Sequence, residues 1–471
     1  MPLAARTTAS SRKDFGSGWE STLDRVIAKT ERAEQNLVAH APKASALGRK
    51  ASGSFYTPAD VADHVWDQFF RLHDIRSADQ LTSFILRTRF VEPSAGAGIF
   101  VFTLLRKALA LGVLPSDLER LSMSVIDLNL AALRFVNAKI AEIEAALGLD
   151  LSGIVLVQRD FLDWVNETSF DRVCFIGNPP FVSNPSSSRW RNLFASFLEA
   201  MLDYPARDKA IGLILPLSIC FSRDYKPLRR RLNSCGLGIQ VSSYDNIPDC
   251  LFQAGKPESG NSNKANSQRC TILMLGGDPA LRRSASLRRW PRADRATVLT
   301  TAPDYRDYKS YVHDDQIPRP SCDGLLQYLM PSEGSRPLGT FLSKTSMPCF
   351  ALASVARNFI GIREVMEPCP SSMAIATRDT ADSMVLLQIL ASPLFFEYWR
   401  SVGDGFHVTK DIVDRFPVRE SILALCRARV AEAEAAWGSR ADYRKDKLNS
   451  GKVVRSYDFR EAFSWLRLGG E

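Results

Sequence analysis

From about Ser54 to Gly277, apolar β-rich runs alternate with stretches whose apolar residues recur at helical spacing, and this alternation constrains the fold more than any other feature of the chain. The runs are FILRTRFVE (84–92), LSMSVID (121–127), GIVLVQRD (153–160), RVCFIGN (172–178), AIGLILPL (210–217) and TILMLGG (271–277). Stretches such as Ala131 to Leu147 carry the helical pattern between them. Strands that alternate with helices imply crossover units and a doubly wound, mostly parallel sheet of the α/β class. Ligands of such sheets lie beyond the carboxyl ends of the strands. The residues that close each run are therefore where chemistry is expected.

The run at 172–178 closes on Asn178-Pro179-Pro180-Phe181. An exocyclic amino group of a nucleobase is a poor nucleophile, because its lone pair is delocalised into the ring. Two acceptors aimed at its N–H groups would draw the nitrogen toward a tetrahedral geometry. The Asn178 side-chain oxygen and the Pro179 carbonyl are candidates. Paired prolines fix φ and remove two backbone donors, so those carbonyls cannot be captured locally. Phe181 offers a flat face on which a flipped-out base can stack. Taken alone, the tetrapeptide is as readily a proline turn after a strand.

Other run ends shift that balance. Phe90-Val-Glu-Pro-Ser94-Ala95-Gly96-Ala-Gly98 reads as a strand, a glycine turn and a helix start. Gly96 and Gly98 let backbone approach a ligand closely. The third glycine of a pyrophosphate-binding loop is missing, which suits a ligand without pyrophosphate. Asp127 closes the next run and can accept from both hydroxyls of a ribose. Asp160 closes the one after and can accept from the adenine amino group of a bound nucleoside, with Phe161 against its ring. Each acid taken singly is more often a helix cap. Glu92, Asp127 and Asp160 together, ahead of Asn-Pro-Pro-Phe, are harder to read as three caps. Upstream, Phe55-Tyr-Thr-Pro58 places Thr57 as the cap of a helix and Pro58 in its first turn.

The order Phe-Tyr-Thr-Pro, Glu-Pro-Ser-Ala-Gly-Ala-Gly, strand-end Asp, Asp-Phe, Asn-Pro-Pro-Phe resembles the adenine-specific amino-methyltransferases of DNA. It most resembles the subgroup that includes modification enzymes of bacterial restriction systems. The resemblance covers residues 50–280, and more loosely 393–418, where Pro-Leu-Phe-Phe-Glu-Tyr-Trp and Gly403-Asp-Gly-Phe-His-Val-Thr-Lys410 look like the end of a target recognition domain. It implies a class I methyltransferase-like fold followed by a C-terminal α+β target recognition domain, with S-adenosylmethionine as methyl donor. Tyr56, Thr57, Pro58, Glu92, Ser94, Ala95, Gly96, Gly98, Asp127, Leu128, Asp160 and Phe161 would surround the cofactor. Asn178, Pro179, Pro180 and Phe181 would hold the target adenine. A second aromatic is expected on the other face of the base, either Phe252 or Tyr244. Glu92 stands where many relatives carry Asp, which preserves the carboxylate. The implied organisation is an N-terminal extension (1–50), a catalytic domain (51–280), a basic linker (281–330), and a recognition domain with a C-terminal helical segment (331–471). The expected partner is double-stranded DNA, for a cytoplasmic monomer accompanied by a separately encoded restriction endonuclease.

Composition agrees with a polyanionic partner. The 471 residues carry a formal charge of +8, and Leu281 to Arg295 (LRRSASLRRWPRADR) holds six arginines and one acid. Arg229, Arg230 and Arg231 form a second cluster. Either cluster could equally be a solvated helix face or linker. No apolar stretch reaches membrane-spanning length, and no secretory h-region opens the chain. Nine cysteines without a C-x-x-C pair argue against a zinc site. Asp304 and Asp307 are too close in sequence to hold one metal from two strands, so no nuclease activity is expected. His407 is expected to be a turn residue or DNA contact rather than a base. Later elements expected are strands within CFALASVAR (349–357) and SSMAIATR (371–378), helices over Ser383–Val402 and about Glu420–Trp437, and a charged tail. Rival readings are an RNA adenine methyltransferase, a protein glutamine methyltransferase, and a non-catalytic binding subunit.

Overall fold

The computed structural model describes residues 18–40, 57–184, 187–252, 268–309, 311, 315–330, 332–365, 371–449 and 452–468. The chain forms two compact units that divide between Ile214 and Leu215.

In the first unit, α1 (Gly18–His40), α2 (Ala59–Leu72) and α3 (Ala78–Ile85) precede the sheet. There follow β1 (Arg89–Glu92), α4 (Ile99–Ala110), β2 (Met123–Asp127), α5 (Leu130–Leu147), β3 (Ile154–Gln158), α6 (Phe161–Glu167), β4 (Arg172–Gly177), α7 (Leu193–Asp203) and β5 (Asp208–Pro216). The order across the sheet is β3-β2-β1-β4-β5, and every pair is parallel. The fold is the expected α/β class. Right-handed crossovers place α4 and α5 on one face and α6 and α7 on the other. The first face is thickened by α1 and α2, which pack on α4. Leu23, Val26 and Ile27 of α1 are buried, while Arg25 and Lys29 reach Glu142 of α5 at 3.2 and 3.0 Å. Strand order reverses between β1 and β4, which opens a crevice at their carboxyl ends.

One apolar run departs from expectation. Phe84 and Ile85, at the start of FILRTRFVE, are helical. Ser77 caps their helix by accepting from the Gln80 amide, so the strand begins only at Arg89.

The second unit begins with helix α8 (Lys226–Ser234) and strands β6 (Ile239–Tyr244), β7 (Cys270–Leu275), β8 (Arg282–Arg288) and β9 (Tyr305–Asp307). β6 runs antiparallel to β7 and parallel to β8, and β9 runs antiparallel to β8. The Arg-rich stretch expected as a linker or exposed arm is thus a paired strand in its first half. The α+β remainder holds β10 (Arg336–Pro337) paired with β14 (Pro417–Val418), and a five-stranded antiparallel sheet. That sheet joins β11 (Phe350–Ala353), β12 (Ile362–Arg363), β13 (Ser372–Ile375), β15 (Arg444–Asn449) and β16 (Lys452–Tyr457) in the order β13-β11-β12-β16-β15.

Three further expectations are corrected here. The helix expected over Ser383–Val402 is two, α9 (Thr380–Leu390) and α10 (Pro393–Val402). Pro393 cannot donate within a helix and disfavours helical backbone at Ser392, which instead caps α10 through the Phe395 amide. The segment expected as one helix to Trp437 also divides, into α11 (Glu420–Ala428) and α12 (Val430–Gly438), at Arg429. The charged tail is the β15–β16 hairpin. No helix among the described residues is long and apolar enough to cross a membrane.

Candidate active site at the carboxyl ends of the strands

The glycine loop after β1 is built by its own backbone. The Ala95 amide donates to the Ile126 carbonyl at 3.0 Å, which ties the loop to β2. Gly96 and Gly98 take φ of +53° and +82°, the left-handed region that favours glycine. A Cβ on Gly98 would lie 3.0 Å from Val136, so close packing of α4 against α5 demands glycine there as well. Across the switch point, Gly177 (φ +154°) meets the end of β1. A Cβ there would stand 3.2 Å from Pro93 and 3.7 Å from Glu92. Glu92 is 1% exposed. The ends of β1 and β4 therefore leave no room for a side chain at Gly177, and Asn178 follows at once.

Asp127 closes β2 as an acceptor. Its two carboxylate oxygens take the amides of Gly96 (2.8 Å) and Asn129 (2.7 Å). A carboxylate has about four acceptor positions, so each oxygen can take a further donor. Beside it, Leu128 is 67% exposed, an unusual position for leucine at the edge of an apolar sheet. Asn129 caps α5 through the Ala131 and Ala132 amides.

Asp160 caps α6 by accepting from the Leu162 amide at 2.8 Å. Phe161 is 2% exposed and packs on Phe197 and Phe175, with ring centres 4.8 and 6.0 Å away. In this structure Phe161 is a core residue that joins α6 to α7.

Asn178 is positioned by a contact the motifs did not suggest. Its side-chain nitrogen donates to the Thr57 hydroxyl at 3.1 Å. Thr57 is 4% exposed. The expectation that it caps α2 is corrected: Pro58 occupies the cap position and no side chain caps the helix. The Ala59 amide is instead taken by Glu31 of α1 at 2.9 Å. The Thr57 hydroxyl is thereby directed to Asn178. A bond between residues 121 positions apart leaves no sequence signal beyond the presence of both motifs. Because the nitrogen end of the amide is committed, the oxygen end is the one that can accept from an amino group.

Pro179 is buried and Phe181 half-buried, its ring edge-on to Phe194 at 6.3 Å. Beyond Phe181 the chain is pinned by the Leu193 amide to the Val182 carbonyl and by Asn184 to Ser196. Tyr56 lies outside the described residues.

Within the first unit, Asn178 is thus bonded to Thr57 and follows Gly177 beside the end of β1, and Asp127 is bonded to Gly96. The two candidates for the second aromatic belong to the other unit. Phe252 is 3% exposed, and Tyr244 is fully buried in β6, edge-on to Trp290 with its hydroxyl on Ser242. His407 is exposed, with Nδ1 at 2.5 Å from Asp404. Among the described residues, no group of three or more His, Cys, Asp or Glu side chains is placed to hold a metal.

The arginine clusters are mostly structural, contrary to expectation. Arg229 is 1% exposed and donates to the carbonyls of Asp315, Ile219 and Ser222. Arg282 serves the carbonyls of Leu237 and Asn233, and Arg288 that of Val298. Arg295 serves those of Cys250 and Leu251.

No protein-family model matches the chain, and no curated protein matches it. Solved structures similar to it include a nuclease-deletion mutant of the type ISP restriction-modification enzyme LlaGI with a DNA substrate mimic, at 16% identity and TM-score 0.43 over 64% of this chain and 34% of that one. The DrdV–DNA complex is similar at 14% identity and TM-score 0.47, over 72% of this chain and 38% of that one. A type I restriction-modification methyltransferase subunit from Streptococcus thermophilus is similar at 17% identity and TM-score 0.36, over 56% and 58%. This chain spans little more than a third of the length of the first two. Likeness of this size leaves the reading of the site to its own geometry.

Proposed function

We propose that the protein is an S-adenosylmethionine-dependent methyltransferase that modifies the 6-amino group of a flipped-out adenine at a specific site in duplex DNA. The observation that carries this reading is Asn178. It sits at the carboxyl end of β4, beside the switch point, with its amide held by Thr57, and with the acids Glu92 and Asp127 at the ends of β1, the adjacent strand, and β2, the next one over.

The residues present suit the cofactor. Asp127 has acceptor positions to spare for two ribose hydroxyls, and Leu128 offers an exposed apolar face that an adenine ring would cover. Glu92, Ser94, Ala95, Gly96 and Gly98 would line the same crevice, with Tyr56, Thr57 and Pro58 toward the methionine end and Asp160 toward the adenine, while Phe161 serves the core behind it. Bound there, S-adenosylmethionine supplies an electrophilic methyl group on a sulfonium. Asn178 and the Pro179 carbonyl accept from the two N–H groups of the target amine and free its lone pair for in-line attack on the methyl carbon. The surplus proton of the methylated nitrogen would pass to water. Catalysis of this kind rests on position and electrostatics, with no covalent enzyme intermediate. Phe181 would stack on the base, with Phe252 or Tyr244 as the candidate for its other face.

In this reading residues 51–280 catalyse and 331–471 recognise the target. The enzyme acts as a cytoplasmic monomer, with a restriction endonuclease encoded separately. The same four residues could serve adenine in RNA or a glutamine side chain. The test is methyl transfer from labelled cofactor to duplex DNA, RNA and protein acceptors in parallel. Label confined to duplex DNA is the expected outcome. Label confined to RNA or protein would replace the substrate assignment.

A further inference from the structure

The hairpin β15–β16 leaves the sheet that anchors it. β12 has two residues, and only Ile362 pairs with β16, at Tyr457. From there outward the strands pair with each other alone: Lys445 with Ser456, Asp446 with Arg455, Lys447 with Val454, Leu448 with Val453 and Asn449 with Lys452. Five such rungs make an arm of roughly 15 Å at the usual rise per residue. The base is fixed. The Tyr457 hydroxyl donates to Glu364 at 2.6 Å, Arg440 donates to the same oxygen at 2.8 Å, and Trp437 and Phe459 pack on Tyr457. Leu448 and Val453, opposite each other near the tip, are 70% and 64% exposed.

Strand alternation sorts the charges. Residues 444–457 contain five basic residues and one acid, Asp446. That acid shares its side of the ribbon with Arg444, which donates to both its oxygens at 2.9 and 3.0 Å, and with Arg455 at 4.0 Å. These partners hold its pKa low, so it stays charged and neutralised. The opposite side presents exposed Lys445 and Lys447 and no acid. Lysines on an edge strand can simply guard against edge-to-edge pairing. A guard does not need two large apolar residues exposed at its tip, and those would defeat it.

We propose that this arm is a DNA-binding ribbon that enters a groove of duplex DNA tip first, with Lys445 and Lys447 on the phosphates of one wall and the Leu448–Val453 pair, near the tip on the ribbon's other side, against base edges. This rests on the methyltransferase reading for the nature of the partner. A two-stranded ribbon fits the major groove, which is about 12 Å wide. Lysine side chains suit phosphate contacts that set register, and apolar side chains suit thymine methyl groups.

The test is the affinity of the full chain for a random-sequence duplex across a salt series, for wild type, K445A/K447A and L448S/V453S, with methyl transfer to duplex DNA measured on the same preparations. All four substitutions lie on an exposed arm, and equal melting temperatures verify folding. Two lost phosphate contacts should flatten the slope of log K against log salt by about 1.8 and weaken binding roughly tenfold. The apolar pair should weaken binding several-fold with the slope unchanged. Wild-type affinity and slope in both variants overturn the arm, and if wild type still methylates duplex DNA the enzyme assignment stands. Reduced affinity in the variants beside a wild type that transfers no methyl group supports the arm and sinks the enzyme assignment. A wild type that binds no duplex DNA overturns both.

Discussion

In the first unit, the polar side chains singled out by the motifs sit where parallel strands end, each held by one or two bonds: Asp127 on the Gly96 and Asn129 amides, Asn178 on Thr57. In the second, the arginines that give the chain its basic character turn inward. Arg229 and Arg295 close off backbone carbonyls around loops and helix ends, as a sheet with irregular connections requires. Asp127 keeps acceptor positions for a ligand. Arg229 and Arg295 are consumed by the fold. Charge counted along a sequence does not distinguish the two, whereas position at the end of an apolar run does. The C-terminal hairpin, with fewer basic residues than the Arg-rich stretch, exposes more of what it has.

The strongest way to break this contrast is Arg229→Ala. Three carbonyls would lose a buried donor, at about 1–3 kcal/mol each where water cannot replace it. A loss of roughly 3 kcal/mol or more in urea unfolding is expected, with cofactor affinity in the remaining folded protein unchanged. A variant as stable as wild type, with weakened DNA binding, would return Arg229 to the polyanion surface that its sequence neighbourhood suggested.

The next effect is on the first unit's stability and comes from pH. His73 packs against Phe69 and Phe84, with ring centres 4.4 and 5.5 Å away, and burial lowers its pKa from 6.5 to about 4. The unfolded chain then binds a proton that the folded chain refuses. The neutral histidine's contribution is complete above pH 6.5 and is lost as pH falls from there toward 4, on the order of 2–3 kcal/mol. His73→Phe should flatten that part of the stability profile. An unchanged acid limb in the variant would remove His73 from the account.

Smaller still is the effect of Thr57→Val, which keeps shape and removes the hydroxyl. One hydrogen bond is worth about 1 kcal/mol, so turnover should fall about 5- to 10-fold with cofactor affinity intact, and Thr57→Ser should restore it. The opposite split, weakened S-adenosylmethionine binding with normal turnover, would mean that Thr57 closes over the cofactor, as the resemblance implies, and does not steady Asn178.

Legibility in the sequence follows the same division. Parallel strands buried on both faces read as unbroken apolar runs, so β1 to β5 were visible, as were the acids that close them. Phe84 and Ile85 were misread because an apolar run cannot by itself separate the end of a helix from the start of a strand. The site's acids and Asn178 were legible. The Thr57 bond was not, because a hydroxyl beside a proline reads first as a cap. In the second unit, strand β8 carries three arginines among seven residues and has no apolar signature, yet Arg282 and Arg288 find carbonyls and Ala285 and Leu287 supply the core. The break before Pro393 was legible from proline chemistry, and helical periodicity on both sides obscured it.

The central claim is that the crevice separates donor binding from acceptor activation. It is tested by measuring N6-methyladenine formation in duplex DNA and calorimetric S-adenosylmethionine binding for wild type, Asn178→Ala and Asp127→Ala. The expected result is a double dissociation. Asn178→Ala should lose about 100-fold or more in methyl transfer while binding the cofactor as wild type does, and Asp127→Ala should weaken cofactor binding by about 1.5–3 kcal/mol. Asn178→Ala within threefold of wild-type turnover, or Asp127→Ala with unchanged cofactor affinity in a folded protein, would contradict the account.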